Sequence, residues 1–349
     1  MLRINPTLVS NILSAQSLEE LHPMVQGAIE LEHSTIPPYL TALFSFKRGK
    51  GKEVRPIIES IVIEEMLHMT IASNILNALN GRPQIDKPAF VPNYKCPLPM
   101  GINVGFEVGL EKCSIDVVQN VFMEIEEPET ILNINYAVKA TDTYKTIGEF
   151  YGALAKKIDE LAPDIMPGDP AKQVVANNYF PPDELFAIRT KQDAIAAIDI
   201  IVEQGEGTST EPVDMYGEVA HYYRFKEIVM GKKLIKDPHA DHGYSYSGAP
   251  VPFSNDDVWN IFPTTKVWML PPGSEQWHRA QEFNYFYTML LEGLHRTFNG
   301  EPTFLSNTMG LMYDVKLTGE KLCEMKFPGK DGFYVGPTFE YQKQPPQQM

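Results

Sequence analysis

Two tetrapeptides, Glu65-Met-Leu-His68 and Glu218-Val-Ala-His221, each set a carboxylate and an imidazole three residues apart within sequence of helical character. Residues three apart share one face of an α-helix, so both side chains of either pair can reach a single metal ion. Two such pairs call for two ions. A bundle that supplies Glu-x-x-His from two helices and a lone Glu from each of two others holds a carboxylate-bridged dimetal centre. The paired motifs therefore predict two further glutamates, one on each remaining helix.

One of these is sought in residues 24–46, MVQGAIELEHSTIPPYLTALFSF, which are apolar with helical period and contain Glu30 and Glu32. Glu32 shares a stripe with Val25, Ala28, Ile29, Thr35 and Ile36, whereas Glu30 lies with Pro23, Gln26 and Gly27. Glu32 is the candidate ligand. Glu65 likewise continues the stripe Ile58, Ile61, Val62, His68, Met69 and Ala72. Its neighbour Glu64 sits about 100° further round the helix, toward solvent or a partner helix. A carboxylate on an apolar face is costly to bury unless something neutralises it, and a metal ion does so.

The elements that must position these residues can be read from their punctuation. Ser17-Leu-Glu-Glu20 resembles a capping box and opens a helix that runs to about Arg48. Gly49 to Lys52 turn the chain into a second helix with Pro56 in its first turn, ended by Gly81 and Pro83. Residues 82–143, rich in Pro and in short apolar runs such as Val117 to Val121, read as an insertion of loops and small strands. Helices are expected over about 143–161, 191–205 and 214–231, and two more over 275–298 and 305–325. The expected fold is mainly α, a four-helix bundle over residues 1–235 with the insertion at 82–143. A C-terminal extension, 236–349, packs on it as part of one unit. Pro37 and Pro38, one turn after Glu32, should kink their helix. The aromatic run Tyr222, Tyr223 and Phe225 reads as core packing rather than redox chemistry. His33 and His295 are lone histidines, more often structural than ligating.

A formal net charge of −15 over 349 residues, with no basic run, argues against nucleic acid as a partner. Cys96, Cys113 and Cys323 form no C-x-x-C pair and suit a reducing compartment. The opening residues lack the order of a signal peptide, and no stretch has the apolar length of a membrane span. A cytoplasmic location without membrane attachment is expected, and a homodimer is compatible with the chain.

The strings AIELEHSTIPPYLTAL, SIVIEEMLHMTIASNILNALNG, TIGEFYGAL, AIDIIVEQGEG and EVAHYYRFKEI, in this order, resemble the ferritin-like family that includes the iminophenyl-pyruvate dimer synthases of violacein and indolocarbazole biosynthesis. The resemblance covers about residues 20–232, and the ending Gly336-Pro-Thr-Phe-Glu-Tyr341 is also similar. It implies a ferritin-like bundle and its metal site. It leaves one ligand open, because Glu203 and Glu149 both sit in family-like strings. Glu203 is preferred, since its helix and the one expected to hold Glu218 and His221 are joined by a short loop and should be neighbours. Glu149 is the alternative and Glu206 a third choice. The expected metal set is Glu32, Glu65, His68, Glu203, Glu218 and His221.

Carboxylate and imidazole donors without thiolate suit iron or manganese in an oxygen-rich site. Two Fe ions are expected, with Mn the alternative, bridged by Glu65 and one of the third- or fourth-helix glutamates, and His68 and His221 each capping one. The expected reaction is oxidation of a small organic substrate by dioxygen. The resemblance suggests an amino-acid-derived secondary-metabolite intermediate undergoing coupling, hydroxylation or desaturation. An iron-oxidising storage protein, a manganese catalase and a non-catalytic metal-containing partner in a biosynthetic complex are the competing readings.

Overall fold

The computed structural model describes residues 6–101, 106–128, 147–208 and 211–345. Its framework begins with a short helix α1, Pro6–Ser14, and two long helices, α2, Leu18–Phe44, and α3, Val54–Ala78, which pack along each other as a hairpin. The central half of α2 is buried almost all round, because other helices and loops cover the faces that α3 leaves open. Its backbone stays helical through Pro37 and Pro38. Pro38 cannot donate to the carbonyl of Ser34, and the Tyr94 hydroxyl donates to that carbonyl instead, at 2.8 Å. Ser17 stands at the start of α2 as expected, but its side chain caps no backbone amide; Glu20 accepts from Gln16 N instead.

Residues 115–125 are helical, not a strand. The segment, α4, has a turn at Ile115–Val117 started by the Ser114 side chain, a π-helical stretch at Val118–Phe122 and a last turn at Met123–Ile125. Val118, Phe122 and Ile125 bury one face, and the Val-rich sequence mimics a strand because β-branched residues serve either element on a buried surface. Much of the remaining insertion is irregular where described, and 129–146 lie outside the described residues.

Helices α5, Ile147–Leu161, and α6, Lys191–Glu206, form a second hairpin that contacts α2 and α3. Thr190 and Asp193 close a capping box on α6, and Gly207 ends it with φ +81°. Helix α7, His221–Met230, packs against α3, α4 and α6. It starts seven residues later than its periodicity suggests. Asp214 Oδ1 accepts from the amides of Tyr216, at 2.9 Å, and Glu218, at 2.8 Å, Gly217 adopts φ +84°, and Val213 pairs with Val219. This side-chain-nucleated turn takes the amides that a helix would have used.

A two-stranded antiparallel ribbon, β1, Ile235–Lys236, and β2, Tyr244–Ser245, precedes the last two helices, α8, Glu275–Phe298, and α9, Leu305–Cys323. These pair with each other and cover α3 and α2 respectively. Within the similar ending, Phe339 is buried against Phe283 and Tyr287 of α8, and Glu340 accepts from Val267 N. No helix among the described residues is long and apolar enough to cross a membrane.

Candidate metal centre

Two groups of metal-ligating side chains meet at the centre of the bundle, and both contain Glu65. Glu32, Glu65 and His68 form the first; Glu65, Glu126 and His221 form the second, with the ligand atoms of each within 4.8 Å of one another. Helix α2 delivers Glu32 and α3 delivers Glu65 and His68, as the face analysis expects. His221 is the first residue of α7, and Glu126 directly follows α4. His68 Nδ1 lies 3.7 Å from Glu32 Oε2 and 3.6 Å from Glu65 Oε1. His221 Nδ1 lies 2.9 Å from Glu65 Oε1 and 3.4 Å from Glu126 Oε2. The two imidazole rings stack with centroids 5.4 Å apart.

Each inner group is held from outside. His68 Nε2 is 2.9 Å from Gln204 Oε1 of α6, and His221 Nε2 is 2.9 Å from Glu64 Oε2. Glu64 is in turn bound by the guanidinium of Arg224, which also donates to Ser60. Thus Glu64, turned away from the Glu65 face, orients the imidazole of a partner helix. Tyr151 donates to Glu32 Oε1, Tyr39 donates to Glu126 Oε1, and Thr35 donates to Glu65 Oε2 at 2.8 Å. An acceptor on the far ring nitrogen of a histidine fixes the ring and raises its basicity, as is usual for metal-ligating histidines.

The electrostatics reflect a crowded set of buried anions. Burial disfavours a charged His68, but hydrogen bonds to Glu32 and Glu65 outweigh it and raise the pKa to about 10. Burial opposes charge on His221 as well, and Glu126, Glu64 and Glu65 reverse that effect, raising its pKa. Burial also works against the Glu65 carboxylate, which His221 and His68 nevertheless hold below the usual range. Burial raises the Glu32 carboxyl, with His68 partly offsetting it. Without metal, protons on the two imidazoles offset part of the carboxylate charge. Divalent metal held by Glu32, Glu65, His68, Glu126 and His221 would supply positive charge instead, so the donor set fits a metal site.

Glu218, Glu203 and Glu149 do not join this set. Glu218 is exposed in the turn before α7, so Glu218-Val-Ala-His221 is not a helical pair. Glu203 faces away and accepts from Met215 N at 2.9 Å. Glu149 lies in the first turn of α5 and lines no part of the central cavity. Glu206 does reach it: with Glu32, Glu65, His68, Glu126 and Glu127 it lines a small cavity of about 40 Å³. One Glu206 oxygen accepts from Gly148 N at 2.9 Å. His33 is buried against Phe90 and hydrogen-bonded to Tyr287, away from the two groups. Tyr222 and Tyr223 are buried packing residues.

Sequence reasoning missed Glu126, because it lies in the segment 82–143, which reads as loops and small strands. The four-then-three spacing of Val118, Phe122 and Ile125 was the helical signal available. Gln204 and Arg224 carried no signal, since their roles exist only once α3, α6 and α7 meet.

The chain belongs to the ferritin-like family, whose family model matches residues 25–230. More particularly, it is 24% identical over 323 residues to dichlorochromopyrrolate synthase of Lentzea aerocolonigenes, an alignment covering 84% of this chain and 30% of that protein. The chain therefore spans less than a third of that relative's length. A crystal structure of a ferritin-like protein from Caulobacter vibrioides has the same fold, with TM-score 0.56, 24% identity, and coverage of 87% of this chain and 97% of that one.

Proposed function

We propose that this chain is a non-haem dimetal oxidase, with iron the preferred metal, that uses dioxygen to oxidise a small amino-acid-derived intermediate of secondary metabolism. The observation that carries the reading is the sharing of Glu65 between two buried carboxylate–imidazole groups. A carboxylate common to both is the element that a bridged pair of ions requires. The similarity to a biosynthetic synthase supports the substrate class.

In this reading Glu32, Glu65, His68, Glu126 and His221 hold the metals, and Glu206, facing the same cavity from α6, is the carboxylate available to complete the set. Bound iron would supply the redox chemistry with dioxygen, and the chain's own residues do the rest. Gln204 and Glu64 keep the His68 and His221 rings oriented, with Arg224 pinning Glu64. Tyr39 and Tyr151 each occupy one oxygen of Glu126 and Glu32, leaving the other oxygen to face the centre. Burial raises both phenol pKa values, so the hydroxyls stay protonated donors. Leu31, Ile125, Ile147, Ile201 and Val202 supply the apolar part of the cavity wall.

The test is anaerobic reconstitution with Fe(II), metal analysis and Mössbauer spectroscopy, followed by oxygen exposure with and without amino-acid-derived candidates. Two ions per chain and substrate-dependent oxygen uptake are expected. Oxidation of many equivalents of Fe(II) into a retained mineral without organic substrate would leave a storage protein. Vigorous peroxide decomposition by a Mn-loaded form would indicate a catalase.

A further inference from the structure

Helix α9 is seated in the fold by one face. Leu305, Thr308, Val315, Gly319 and Leu322 are buried, and Gly319 lies so close to Phe44 that a Cβ there would meet the ring at 2.6 Å. One flank is tied to α3, Lys316 reaching Glu59 at 3.6 Å and Arg55 reaching Glu320 at 3.3 Å. The outward face carries Tyr313 and Leu317, one turn apart and 67% and 62% exposed. The two ion pairs run in opposite chain directions, so α3 and α9 are antiparallel here. That register sets Ile63, 47% exposed and one turn beyond Glu59, beside residues 309–313 of α9. Large apolar side chains adjoining one another in solvent mark an interaction surface.

The charges around Leu317 define what fits this surface. Asp314 precedes it by three residues and Lys321 follows it by four, so all three lie on the outward face. Lys321 reaches Glu324 at 3.3 Å, but both side chains are about half exposed and such a pair holds weakly. The Asp314 carboxylate has no cationic partner among the described residues. Two copies of α9 crossing antiparallel at a two-fold axis beside Leu317 bring Asp314 of each chain opposite Lys321 of the other. Leu317 then packs on its own copy, flanked by the Tyr313 rings. A face that carries both halves of its own complement fits a second copy of the chain. The net charge of −15 on each copy opposes association through any face that lacks such a match.

We propose that the chain forms a two-fold dimer through α9, with Leu317 at the axis, Tyr313 and Ile63 around it, and reciprocal Asp314–Lys321 pairs. None of these residues belongs to the candidate metal centre, so the dimer does not depend on what the centre binds.

Sedimentation equilibrium of the full chain at micromolar concentration and physiological salt should give twice the chain mass. Asp314→Lys and Lys321→Glu each set like charges across the axis, and each alone should weaken the dimer at least about tenfold. An equimolar mixture of these two variants should recover it, because across the mixed pair every introduced charge meets its opposite. Leu317→Glu, which places two carboxylates at the axis, should leave a monomer with unchanged far-UV circular dichroism. A monomeric wild type, a dimer that survives the single charge changes or Leu317→Glu, or a mixture no more associated than its parts would overturn the proposal. If either single charge variant does not fold, the double variant Asp314→Lys/Lys321→Glu decides: it should dimerise like the wild type, and a monomer counts against the interface.

Discussion

Glu65 Oε1 lies 2.9 Å from His221 Nδ1, joining α3 to the first turn of α7. The same oxygen is 3.6 Å from His68 Nδ1, so one carboxylate faces both imidazoles of the site. The carboxylate that His221 meets is thus supplied by α3, not by the Glu218 three residues before it.

Substituting that shared carboxylate should affect both ions together. Glu65→Gln keeps the shape and removes the charge, and metal content after Fe(II) reconstitution should fall well below one ion per chain. Glu218→Gln, exposed and remote, should retain the wild-type content. Elemental analysis of the two variants side by side gives the answer, and equal metal contents would mean that Glu65 bridges nothing.

Arg224 touches no candidate ligand carboxylate but pins Glu64, which orients His221. Arg224→Met should therefore lower metal affinity by about 10–100-fold, the usual effect of losing an outer-shell partner. His33→Ala removes an imidazole bonded to Tyr287 instead and should leave metal affinity unchanged. Competition with a chromophoric chelator measures both.

Tyr151 gives Glu32 a buried hydrogen bond, and Tyr151→Phe leaves that carboxylate oxygen without its donor. A cost of about 1–3 kcal/mol is expected in metal-free protein. Urea denaturation of the metal-free variant should show a lower midpoint at unchanged slope. An unchanged midpoint would mean that another group takes over the oxygen.

The imidazoles also set a pH dependence for the metal-free protein. His68 is raised from 6.5 to about 10 in the fold, chiefly by Glu32 and Glu65 acting against burial. A raised folded pKa contributes stability that is complete below the unfolded value and is lost as pH rises through the folded one. Metal-free stability should fall between about pH 6.5 and 10 through this group, while metal affinity rises as protons leave the same nitrogens. Denaturation midpoints across this range, with His68→Gln as control, test the sign. A midpoint that rises with pH in the wild type alone would contradict it.

Much of the site was legible in the chain because helical periodicity is a local property. The stripe through Glu32 and the stripe through Glu65 and His68 follow from residues a few positions apart, and all three side chains are buried where α2 meets α3. The first hairpin and the two C-terminal helices were likewise written in short-range pattern and punctuation. His221 was identified by its type, although its supposed partner was not.

Tertiary structure decided the rest, and the reason in each case is competition that sequence spacing does not contain. The Asp214 carboxylate captures the amides of Tyr216 and Glu218, so α7 begins at His221 and Glu218 is left in solvent. A π-helical stretch inside a valine-rich run carries Glu126 from an expected loop to the centre. Glu203 turns to Met215 N while Gln204, its neighbour, reaches His68, a choice between adjacent faces of α6 that only packing against α3 makes. Sequence by itself determined the long helices α2 and α3 and the Glu32, Glu65 and His68 side chains that they bury; assembly determined which further groups join them, because that depends on helices whose contacts are distant along the chain.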